Sequence, residues 1–169
     1  MKGNFTARYL ILLLVQLLLC NYFRFTPYVM LSILPVMVLC IPTRVNTITG
    51  MLIAFATGLA VDFLAEGVVG LNTFALVPVA LVRRGLVSLV FGDELIKRGE
   101  NFSMRKFGPI KVIFVIFIVQ TVFLLLYIWA DGAAARPFSF SFWRYIASVA
   151  AGTILSIFVA DILSPHDRR

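Results

Sequence analysis

The chain has 169 residues, 61% of them hydrophobic and 14% charged, with a mean hydropathy of +0.99. Soluble domains are about 45–50% apolar with about a quarter of their residues charged, so the composition excludes an ordinary soluble domain and makes the bilayer the expected solvent. The formal charge of +7 does not point to nucleic acid, because basic residues gather in the loops of membrane proteins and no aromatic–basic pattern accompanies them here.

A spanning helix needs about 20 mostly apolar residues, and the chain offers six candidates within a single transmembrane domain. The first, 7–23, is bracketed by Arg8 and Arg24. No small-x-small cleavage site follows it, so the segment reads as a retained membrane helix and not a signal peptide. The second, 27–41, has Pro27 where a helix can start and Pro42 where it must stop. Cys20 and Cys40 fall at the far ends of these two spans, on opposite membrane faces, and form neither a disulfide nor a metal motif.

In the third span, 47–65, Gly50, Ala54, Gly58 and Asp62 recur every four residues. That spacing places them on one helix face, and small residues on such a face let a neighbouring helix approach closely. The stripe predicts a contact that holds the bundle or receives a partner helix. Asp62 continues it and is expected to point into the protein, as a capping or hydrogen-bonding carboxylate or as an ion site. Glu66, Gly67, Gly70 and Asn72 follow as a tight outer corner, with Asn72 placed to cap the fourth span.

The fourth span, 71–90, has twelve residues before Arg83 and Arg84, about 18 Å of a core about 30 Å thick. The expectation is a helix that leaves the membrane around the arginines, with residues 85–91 near the headgroups. Arg83 and Arg84 then open a basic cytoplasmic region that continues with Lys97, Arg98, Arg105 and Lys106 in a loop over about 92–110. This loop suits an exposed connector or a docking site for a protein or membrane lipid. The fifth span, 111–130, is the clearest. The sixth, 142–163, carries a second four-residue stripe, Ser148, Gly152, Ser156 and Ala160, with Asp161 beside it. "VDFLA" in the third span and "ADILS" in the sixth are faintly alike.

Six spans put both termini on one side. Twelve Lys and Arg fall on that side, and three, Arg24, Arg136 and Arg144, on the other. The asymmetry predicts cytoplasmic termini. Catalytic constellations are nearly absent: the single histidine, His166, lies in the C-terminal tail, and neither a nucleotide loop nor a paired-carboxylate site occurs. The expectation is a protein that is not an enzyme and uses no cofactor or metal.

The stretch "IPTRVNTITGMLIAFATGLAVDFLAEGVVGLNTFALVPVALVRR", 41–84, resembles the signature region of MreD, the bacterial rod shape-determining membrane protein. The likeness lies in G-x-x-x-D at Gly58 and Asp62, the glycine corner at Gly67 and Gly70, and "GL" followed by Asn72, with Pro42 ahead of them. It implies an all-α bundle of six transmembrane helices in the bacterial cytoplasmic membrane. In function it implies a scaffold of cell elongation that works with the bitopic protein MreC, the actin-like filament MreB, and the peptidoglycan glycosyltransferase and transpeptidase. The family is also similar in fold to the substrate-binding subunits of energy-coupling-factor transporters, so a vitamin- or small-molecule-binding subunit is the alternative. A proton-coupled channel using Asp62 ranks below both. Homo-oligomerisation is left open. The arginine pair matches no motif of the family.

Overall fold

The computed structural model of the chain describes residues 3–22, 29–92, 108–132 and 138–163. Within them the protein is all-helical: α1 (Gly3–Tyr22), α2 (Leu34–Leu39), α3 (Thr47–Val61), α4 (Leu71–Phe91), α5 (Pro109–Gly132) and α6 (Phe138–Leu163). A π-helical turn, Asp62–Glu66, extends α3. Five of these helices, with the π turn counted into the third, are long and apolar enough to cross a membrane.

The long helices close a ring. α3 packs on α4, α4 on α5, α5 on α6, α6 on α1, and α1 on α3. The short α2 sits inside and touches all five. Its residues are buried without exception, and Leu34 and Met37 have no exposed surface. In lipid, association of helices rests on close packing and hydrogen bonding, not on removal of apolar surface from water. A central element in contact with every neighbour therefore contributes mainly by filling space. The outward faces are apolar: Leu10, Ile11, Leu14, Phe114, Ile154 and Phe158 are all exposed.

The second expected span differs most from the sequence reading. Instead of one helix over 27–41, the described part has a non-helical run over 29–33 and then the six residues of α2. The physical reason is Pro35, in the middle of the apolar run. A proline deep in a helix lacks an N–H for the carbonyl four residues back and clashes with it, whereas in a first turn it costs nothing. Here Pro35 falls in the first turn of α2. The carbonyl that it would have blocked, Leu31 O, accepts a hydrogen bond from the Gln16 side chain (3.5 Å).

The other boundaries move outward. α4 is continuous to Phe91, with Pro78 inside it, one residue past the expected 71–90. α5 and α6 likewise extend past 111–130 and 142–163.

Two ends can be distinguished. α3 and α4 are antiparallel, with Gly58 against Thr73 and Gly50 near Arg83. Tyr9 on α1 meets Thr57 (3.0 Å), and α1 goes on to touch the π turn, so α1 and α3 run the same way. The chain between them returns from Ser148 on α6, which binds Met30, to Arg83 on α4, which binds Leu39 and Ile41. At the arginine end the start of α1 meets the end of α6, where Arg8 donates to Ile162 O (3.2 Å). The opposite end holds the π turn and Asp62.

Candidate functional site: the Asp62 corner and the polar core

Gly67 and Gly70 make the corner between α3 and α4 possible. Their φ values are 72° and 108°, a left-handed conformation that side chains disfavour. The Gly67 N–H closes the π turn on Asp62 O (2.9 Å), and Gly70 is the residue that precedes α4. This geometry folds the first turn of α4 back onto Asp62.

Asp62 is fully buried. One carboxylate oxygen accepts from the Asn72 N–H (2.9 Å) and from the Asn72 side-chain amide (3.0 Å). The other accepts from the N–H groups of Gly70 (2.9 Å) and Thr73 (3.1 Å) and from the Thr73 hydroxyl (2.8 Å). Helix starts carry N–H groups without partners and a partial positive charge, and a carboxylate there satisfies both. Asp62 thus caps α4 from the neighbouring helix. Asn72, which the sequence reading placed as the cap, lies inside α4 and donates to Asp62. The remaining oxygen of the Asn72 side chain is buried without a hydrogen-bond partner.

Gly58 is required by closeness. A Cβ there would stand 2.7 Å from Thr73 Cα and 2.8 Å from Thr73 N, inside any tolerable contact with backbone. Gly50, Ala54 and Gly58 are all buried, with Gly58 against the first turn of α4. Glu66 accepts from the Tyr127 hydroxyl (2.8 Å), which ties the π turn to α5. At the same end Arg144 on α6 pairs with Asp131 on α5.

The stripe on α6 is also turned inward. Ser148 and Ser156 are fully buried, as is Ala160. Ser148 Oγ accepts from the Met30 N–H (2.8 Å), and the Ser156 hydroxyl donates to Gln120 Oε1 (3.4 Å). Gly152 leaves room for Gln120: a Cβ would lie 2.3 Å from Gln120 Nε2. Asp161, by contrast, is exposed, so the faint likeness of "ADILS" to "VDFLA" has no counterpart in environment.

Two residues that the sequence reading missed organise the centre. Gln16 on α1 is fully buried; its Oε1 accepts from the Ile33 N–H (2.9 Å), and its Nε2 donates to Leu31 O and to Cys20 Sγ (3.0 Å). Gln120 on α5 donates to Ser32 O (3.3 Å). Non-helical backbone at membrane depth is tolerated only where protein groups satisfy it, and these amides do so on both sides of the run before α2. The available signal was a Gln in the largely apolar middle of each of two helices.

Arg83 is 7% exposed and lies within α4, not in a loop. Its Nε donates to Leu39 O (3.2 Å) and its Nη2 to Ile41 O, at the end of α2, where a cation opposes the partial negative charge of the helix terminus. Arg84 is exposed on the same helix. Lys97, Arg98, Arg105 and Lys106 lie outside the described residues. Cys40 is buried and Cys20 partly so, and neither forms a disulfide among the described residues.

The corner therefore brings together Gly58, Asp62, Gly70, Asn72 and Thr73, with Glu66 one turn away. Its donors are backbone amides, a side-chain amide and a hydroxyl, which suit holding a carboxylate in place. Comparison with family models, curated proteins and solved structures found no match to the chain.

Proposed function

We propose that this chain is a non-enzymatic scaffold of the bacterial cell-elongation machinery, of the MreD kind, in the cytoplasmic membrane with both termini cytoplasmic. The observation that carries the reading is the joint at Asp62. The residues on which the resemblance rests, Gly58, Asp62, Gly70 and Asn72, are the ones that lock α3 to α4. The shared motif thus has a physical purpose in this chain, which is to fix the angle and spacing of two neighbouring helices. Polar groups of both small-residue stripes are engaged inside the bundle, and the surfaces left to meet partners are apolar helix faces and charged ends.

Orientation follows from charge. Arg8, Arg44, Arg83, Arg84 and Lys111 belong to the arginine end, and basic residues favour the cytoplasmic side. The scaffold would link a bitopic MreC-like protein and the actin-like filament to the peptidoglycan glycosyltransferase and transpeptidase.

Copurification of the full chain from its native membrane tests the proposal. Recovery of a bitopic MreC-like protein is the expected result. Recovery of ATPase subunits, or of a tightly held vitamin, would replace it with the transporter-subunit reading. In cells, Gly58→Leu is expected to convert rods into spheres, and rods kept at normal protein levels would show that the joint is dispensable for shape.

A further inference from the structure

At the arginine end a shallow, open cleft lies between the α2–α3 connection and one face of α4. We propose that this cleft binds the phosphate of an anionic phospholipid headgroup. Its α4 wall is formed by Ala80, Arg83, Arg84 and Val87, and Val45 and Thr47 face them.

Helix length sets the depth of the cleft. Thr47 is the first residue of α3, and the helical run Thr47–Glu66 has 20 residues, about 30 Å of rise and so about the thickness of the hydrocarbon core. With the Asp62 end at one surface, Thr47 and the cleft beside it fall at the other, where headgroups lie.

Charge in the cleft favours an anion. Arg83 and Arg84 are adjacent, and among the described residues neither has a carboxylate in ion-pairing range. The backbone carbonyls of Leu39 and Ile41 fix Arg83 in place but carry only partial charge. The start of α3 adds positive potential, since Asn46 gives it no side-chain cap. A nearly buried guanidinium in low dielectric favours a counter-anion, and a phosphate takes paired N–H donors from arginine well. The lining favours a lipid in particular. Val45, Ala80 and Val87 give apolar walls beside the arginines, which suit a headgroup still joined to its glycerol and acyl chains better than a freely soluble anion. Such a site requires only that the chain sits in a membrane and does not rest on the scaffold reading.

Native mass spectrometry of the full chain in detergent, titrated with phosphatidylglycerol or phosphatidylcholine, tests it. One phosphatidylglycerol is expected to stay bound under conditions that strip phosphatidylcholine. Arg84→Gln is expected to weaken that binding roughly five- to tenfold. Lys111→Gln, an exposed change at the same end, is expected to change it less than twofold on the scale of one peripheral charge. Thr47→Val, close in shape, gives a second reading of the same cleft and is expected to weaken binding in the same direction. Equal retention of the two lipids, or equal weakening by Arg84→Gln and Lys111→Gln, would overturn the site in favour of diffuse attraction. Displacement of the lipid by millimolar inorganic phosphate would overturn the lipid assignment and leave a soluble anion as the ligand.

Discussion

At the Asp62 corner a single carboxylate satisfies the start of α4 with five hydrogen bonds. In the run before α2, neutral side chains from α1, α5 and α6 act together, and Gln16, Gln120 and Ser148 each hold one or two backbone groups. The two regions face the same difficulty, since backbone N–H and C=O groups outside a regular helix have no water to turn to in a bilayer. They differ in the strength of the answer. A charged acceptor makes hydrogen bonds roughly twice as strong as neutral ones, and it can sit at a helix start whose dipole favours it. Neutral amides cost less to bury than a charge and can serve a donor and an acceptor at once, which the non-helical run requires.

A graded series of substitutions separates the two answers. Asp62→Ala leaves five donors without an acceptor in a buried site and is expected to cost about 3–5 kcal/mol, read as a loss of folded protein in denaturant titration of the detergent-solubilised chain. Asp62→Asn tests charge against shape. It replaces one acceptor oxygen by a donor facing other donors and is expected to cost about 2–4 kcal/mol; a cost below about 1 kcal/mol would show that charge is not what holds the corner.

Next comes Gly58→Ala. The added Cβ meets the backbone of Thr73 and forces α3 away from α4, at about 1–3 kcal/mol, measurable as a lower thermal midpoint. Gln16→Leu is expected to cost about 1–3 kcal/mol by stranding the Ile33 N–H and Leu31 O. The double change Gln16→Leu with Gln120→Leu is the sharper experiment. Both amides hold one short run, so their effects are expected to be non-additive by about 0.5 kcal/mol or more; strict additivity would mean that the run is held at independent points. The smallest effect is expected from Tyr127→Phe, which removes one hydrogen bond to a partly exposed Glu66 and costs about 1 kcal/mol.

The distance between partners along the chain explains why one region was legible and the other was not. Asp62 and its donors are 8 to 11 residues apart, so the glycines and the four-residue stripe announced the joint. Asp62 was expected as a capping or hydrogen-bonding carboxylate and Asn72 as a cap of the fourth span; in the fold Asp62 is the acceptor at the start of α4, and Asn72 is one of its donors. Gln16 and Ile33 are 17 residues apart, Gln120 and Ser32 88, and Met30 and Ser148 118. No local pattern can signal those pairs. The prolines make the same point: Pro35 marks a break, yet Pro78 lies inside an unbroken α4. Apolar composition alone treats both runs alike.

Composition by itself determined that the chain would build helices long and apolar enough to cross a membrane, since so many apolar residues have no soluble core to enter. The four-residue recurrence of small residues determined which faces of α3 and α6 turn inward. The tertiary structure decided what those faces meet: the start of α4 for one, and the Gln120 amide and the run before α2 for the other. It also decided that the second apolar run would be the centre of the ring and not one of its staves. In that place its unpaired backbone can be reached by side chains from several helices at once, which no position facing lipid allows.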